Sequence, residues 1–131
     1  MPKFSKRSLD ELGTCHPKIQ MVFKSVVKFF DCSILKGKRD KAEQDRLYEI
    51  GKSEKKWPEG KHNTEPYSEA VDVTPYPIDW TDEKRFYFFA GFVLGMARQL
   101  GVNLRWGGDW NSDTQVQDQN FFDLVHFEIK E

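Results

Sequence analysis

The chain has 131 residues, enough for one domain that buries a core without disulfide or metal staples. Its 20 Lys+Arg nearly cancel its 21 Asp+Glu, leaving a net charge of −1. Overall charge therefore gives no argument for nucleic acid or an anionic membrane surface as a partner. No apolar run approaches membrane-spanning length, and Met1 to Arg7 contain no apolar stretch of a secretory signal, so a soluble protein that stays in the cytoplasm where it is made is expected.

The elements read as follows, in chain order. Ser8 to Leu12, ended by Gly13, suggests a short helical turn. His16-Pro17 opens a clear helix, because proline suits the first helical position, and Ile19, Val22, Phe23, Val26, Val27 and Phe30 recur at helical spacing. His16 fits a capping or surface role at that helix start. Cys15 and Cys32 match no Cys-pair metal spacing and read as free thiols, with a disulfide between them left open. Cys32 to Lys36 is a short strand, and Gly37-Lys38-Arg39 turns the chain. Asp40 to Glu43 has the form of a capping box for a helix running to Gly51. Residues 52–68 form a long loop, a feature that in a compact domain is usually functional or disordered.

Glu69 to Thr74 alternates as a strand, with Asp72 on the side opposite Val71 and Val73. The prolines of residues 75–80 make an irregular connection. Thr81 is expected to cap the longest helix, whose buried stripe is Phe86, Phe89, Ala90, Val93, Leu94, Ala97 and Leu100, ended by Gly101. Val102 to Trp106 is a strand, residues 111–120 a polar loop, and Asp123 to Ile129 a final strand. The order predicts one α+β domain over residues 1–131: a small, mostly antiparallel sheet with helices packed on one face.

The last strand carries the chemistry. His126 shares its more polar side with Leu124 and Glu128, and Asp123 stands three residues upstream. Strict alternation puts Asp123 on the other face, so the strand must begin irregularly if the two cooperate. With only three histidines in the chain, His62 and Asp72 are the best further ligand candidates. A catalytic zinc site typically uses three side chains and leaves a position open for water. His62, Asp72 and His126 would be the ligands, Asp123 the general base and Arg39 the cation for an oxyanion. Each has a plainer reading beside it: a surface-loop histidine, an edge-strand aspartate paired with lysine, a solvated arginine.

Lys61-His62, Ser68-Glu69-Ala70-Val71-Asp72 and Asp123-Leu124-Val125-His126 together resemble the His…Asp…(Glu/Asp)-x-x-His pattern of the zinc peptidases that cut D-alanyl-D-alanine and related cell-wall peptides. Gly37-Lys38-Arg39 with Glu43-Gln44 resembles the same family's Gly-x-Arg-x(4)-Gln segment, and Arg105 to Trp110 resembles a block of its bacteriophage members. The similarity runs from Phe4 to Ile129 and is strongest to bacteriophage endolysins of the L-alanyl-D-glutamate peptidase type. It implies a hedgehog/D-Ala-D-Ala-peptidase-like fold and a Zn2+ cofactor on His62, Asp72 and His126. It also implies Asp123 as base, Arg39 on the tetrahedral intermediate, and Gln44, Ser68 and Trp106 toward the substrate.

The implied substrate is a peptidoglycan stem peptide, cut at L-Ala–D-Glu. The implied setting is a monomer in the host cytoplasm that reaches the wall after a holin opens the membrane, with no separate wall-binding domain. Two departures bear on specificity. Gly60 stands where the family has Ser and Ser68 where it has Gly, with the intervening stretch longer by about one helical turn's worth of residues. The base is Asp where some members have Glu. A carboxypeptidase acting on D-Ala-D-Ala and a wall-binding module without turnover remain the alternative readings.

Overall fold

Helix starts follow the capping side chains that the sequence supplies. The computed structural model describes residues 2–117, 119 and 122–130. Ser5 accepts from Ser8 N and opens α1 (Lys6–Leu12), two residues before the expected turn. His16 Nδ1 accepts from Lys18 N at 3.0 Å and opens α2 (Pro17–Val26), so this histidine is a cap. After β1 (Cys32–Lys36), Asp40 accepts from Glu43 N at 2.9 Å and opens α3 (Lys41–Glu49). A 3-10 turn (Lys61–Asn63) interrupts the long loop before β2 (Ala70–Pro75).

The cap of α4 (Glu83–Gln99) is Asp82 rather than Thr81. Asp79 Oδ1 takes both the Thr81 hydroxyl (2.6 Å) and its N–H (3.0 Å), which leaves the next acidic residue to cap. β3 (Leu104–Gly107) starts later than its apolar pattern suggests, because Val102 N closes the end of α4 on Ala97 O at 2.8 Å. β4 is Asp123–Ile129. Of the loop expected at 111–120, Asp118 and Asn120 lie outside the described residues, as does Met1 of the N-terminal segment.

The four strands form one antiparallel sheet in the order β1-β2-β4-β3, an α+β architecture as the element order implied. Val71, Val73 and Phe127 are fully buried on one face. Phe23 of α2 and Phe89 of α4 pack edge-on against Phe127, with centroids 5.5 and 6.3 Å away. α1 lies against the β1 edge, where Ser8 Oγ accepts from Ile34 N at 3.0 Å and blunts the open strand. Cys15 and Cys32 are free and buried, and burial pushes both thiols up to about 12. Among the described residues, no helix is long and apolar enough to cross a membrane.

Candidate metal centre

Asp72 and His126 meet because β2 and β4 pair with these two residues as direct partners. Cross-strand partners project to the same face, here the one turned away from α2 and α4. His62 arrives from the long loop, which backbone bonds sew to the rest of the molecule. Glu69 N donates to Lys61 O at 2.9 Å, Ser68 N to Thr14 O at 2.9 Å, and Arg39 N to His62 O at 2.8 Å. The His62 ring is then aimed by Gly37, whose carbonyl accepts from Nδ1 at 2.7 Å. Only glycine fits at position 37, since a Cβ there would lie 2.2 Å from Thr14 Oγ1 and 2.4 Å from Glu11 O.

The result is a tight cluster. His62 Nε2 lies 3.3 Å from Asp72 Oδ1, and His126 Nδ1 lies 3.4 Å from the same oxygen. One donor atom from each of the three residues falls within 4.8 Å of the others. Both His62 Nε2 and Asp72 Oδ1 are buried without a hydrogen-bond partner among the described residues. Buried polar atoms are normally satisfied, and a cation among the three would satisfy these. Two imidazole nitrogens and one carboxylate oxygen match the donor set of a three-ligand metal site with an open position. The trio is a possible metal-binding site.

Asp123 does reach this face, by the irregular start that the sequence required. Trp106 pairs with Phe127, but the next residue of β3, Gly107, pairs with Asp123, so β4 bulges between them. A Cβ on residue 107 would sit 2.1 Å from Asp123 O, so the crossing depends on glycine. Asp123, His62 and His126 line one cleft of about 580 Å³. Arg39 stands beside the cluster. Its Nη1 donates to Gln44 Oε1 at 2.9 Å, and its Nη2 stands 3.9 Å from Asp72 Oδ2.

Burial alone would raise the Asp72 carboxyl, but the His126 and His62 imidazoles beside it outweigh burial and hold it well below the usual carboxylate range. Burial would lower His126, yet Asp72 and Glu128 against its two nitrogens raise it to about 9. Glu128 is lowered to about 2, because His126 and Arg105 overcome its burial. Asp123 is pushed up, first by burial and then by the Asp72 charge.

Two of the residues expected to face substrate are buried and engaged elsewhere. Trp106 is 4% exposed, donates Nε1–H to Leu124 O at 2.9 Å and meets Tyr87 edge-on. It belongs to the core because its strand alternation turns it to the helix side, opposite Phe127. Ser68 is fully buried, and its hydroxyl is spent on the Ala70 backbone (2.6 Å to O, 3.2 Å from N) while its own backbone ties the loop to Thr14 and His16. Gln44 lines the cleft, but at 1% exposure its amide serves Arg39, Ser53, the Lys55 carbonyl and Asn63.

The sequence marked Arg105 and Trp110 only as the ends of a family-like block and assigned neither a place in the site. The Trp110 ring lies 5.5 Å from that of His126 in the cleft wall. Arg105 meets Glu128 across the β3–β4 ladder. Period-2 alternation did place Glu128 beside His126, but only the strand register shows which cation it would meet.

The comparisons with known proteins point to one family. A family model described as phage L-alanyl-D-glutamate peptidase matches residues 1–130. The chain is 32% identical over 136 residues to the L-alanyl-D-glutamate peptidase of Escherichia phage T5, covering 97% of each protein. It superposes on the crystal structure of the Serratia marcescens L-Ala D-Glu endopeptidase ChiX with a TM-score of 0.77 at 25% identity, over 98% of this chain and 90% of that one. With its fold, its clustered donors and near end-to-end similarity all in agreement, the chain belongs to the phage L-alanyl-D-glutamate peptidase family.

Proposed function

We propose that the protein is a zinc-dependent peptidoglycan endopeptidase, an endolysin that hydrolyses the L-Ala–D-Glu bond of the stem peptide. The observation that carries this reading is the convergence of donors from His62, Asp72 and His126 to within 4.8 Å of one another. Those three residues would hold the zinc. Bound there, zinc supplies Lewis acidity and makes hydroxide available at neutral pH.

Asp123 lines the same cleft as the two histidines without being one of the clustered donors. Such a carboxylate takes a proton from the attacking water and returns it to the leaving amine. The Arg39 guanidinium is held by Gln44 next to Asp72, where it would stabilise the oxygen that becomes negative on the attacked carbonyl. The choice of bond rests on the family and on the names of the two relatives. The route to the wall, as a monomer from the host cytoplasm through a holin-opened membrane, rests on the family alone. Lysis of host cells from within, in the absence of any pore-forming partner, would refute that route.

The deciding experiment incubates the protein with purified sacculi and identifies the released fragments by mass spectrometry. New D-Glu N-termini that vanish with a chelator and return with zinc are expected. Release of D-Ala instead would point to a carboxypeptidase, and binding without any release to a non-catalytic wall module.

A further inference from the structure

Glu128 is a carboxylate that the proposed chemistry does not use, yet it is 6% exposed and sits on the same face of β4 as His126. A buried carboxylate needs partners. Its two oxygens have different ones. Oε2 is taken by Arg105, at 2.6 Å from Nη2 and 3.2 Å from Nε, with Lys61 Nζ at 3.8 Å. Oε1 is left for His126 Nε2, at 2.8 Å. Arg105 comes from the neighbouring strand, where it is the direct cross-strand partner of Glu128, so the ladder itself sets the carboxylate's orientation.

A neutral imidazole carries one proton, on one nitrogen. An ionised carboxylate can only accept, so the short contact to Oε1 holds a proton on Nε2. Nδ1, which points at Asp72 from 3.4 Å, is then the nitrogen that gives up its proton to a metal. We propose that Glu128, anchored by Arg105, is the positioning residue of His126: it selects the tautomer and the ring orientation that present Nδ1 to the metal. His62 has the complementary arrangement, with the Gly37 carbonyl on Nδ1 and Nε2 turned into the cluster. The two histidines thus offer different ring nitrogens, and each is set by an acceptor outside the cluster. Outer partners of this kind typically change metal affinity by about 10- to 100-fold.

This inference rests on the reading that His62, Asp72 and His126 hold zinc, and the test separates the two. Zinc affinity of wild type and Glu128→Gln is measured by competition with a chromogenic chelator. In parallel, the ring nitrogens of zinc-loaded wild type are assigned by long-range proton–nitrogen NMR. Glu128→Gln can offer either an acceptor to His126 or an acceptor to Arg105, but not both, and should weaken zinc binding by about 10- to 100-fold. The wild-type spectrum should show His126 protonated at Nε2. An affinity for Glu128→Gln within twofold of wild type overturns the positioning role. So does a wild-type spectrum with the proton on Nδ1, a measurement that holds even if the variant fails to fold. A wild-type chain that takes up no zinc overturns the metal centre as well.

Discussion

Asp123 and Arg39 differ in what their truncation should remove. Asp123 shares the cleft with the clustered donors but is not one of them. Asp123→Ala is therefore expected to keep its zinc and lose about 10²- to 10⁴-fold in rate, the usual contribution of a general base. Zinc per chain and sacculus hydrolysis check this, and an unchanged rate would exclude Asp123 as the base. Arg39→Ala is expected to lower kcat by about 10²- to 10³-fold with little change in KM, as when an oxyanion donor is lost. A rise in KM alone would rule that role out. Because Arg39 also stands 3.9 Å from Asp72, metal content must be measured alongside. At this scale, His62, Asp72 and His126 were legible, because the chain has few histidines and an aspartate between valines in a strand is unusual. Arg105 and Trp110 were not. Arg105 meets Glu128 through the β3–β4 register, and Trp110 meets His126 through the turn after β3; no local pattern encodes either contact.

The β3–β4 bulge is the element that delivers Asp123 to the cleft lined by His62 and His126. Gly107 permits it by letting the Asp123 backbone pass where a side chain would stand. In Gly107→Ala the added methyl meets backbone atoms, so a rotamer change cannot relieve the contact. A stability loss of about 1 to 3 kcal/mol is expected, the range for overpacking, together with a fall in rate as Asp123 moves. Chemical denaturation and the sacculus assay test both, and wild-type values in each would show that the bulge does not depend on this glycine. Most element boundaries were readable in the sequence because caps are local chemistry: Asp40 and His16-Pro17 start the helices they were expected to start. Thr81 did not, because Asp79, two residues earlier, competes for its hydroxyl and N–H. An irregular start to β4 could be inferred from the period-2 conflict at Asp123. The place of the extra residues could not, since it is set by glycine on another strand.

For the molecule as a whole, the clustered charges tie stability to pH. In the metal-free chain His126 is raised from 6.5 to about 9, so its contribution is complete below pH 6.5 and is lost as pH rises through about 9. Glu128 is lowered from 4.5 to about 2, so its contribution is present above pH 4.5 and is lost as pH falls through about 2. These two groups therefore favour a metal-free fold that is most stable between those limits and melts at falling temperature toward pH 9. Zinc would occupy the place of the His126 proton, so adding it should flatten the alkaline fall. Melting curves across this range with and without zinc test the pair, and a metal-free Tm that stays level from pH 6.5 to 9 would contradict it. β4 lies inside the sheet, between β2 and β3. Because it is paired along both edges, the strand that carries His126 cannot open locally without breaking two ladders at once. Its amide protons should therefore be among the slowest in the molecule to exchange with solvent.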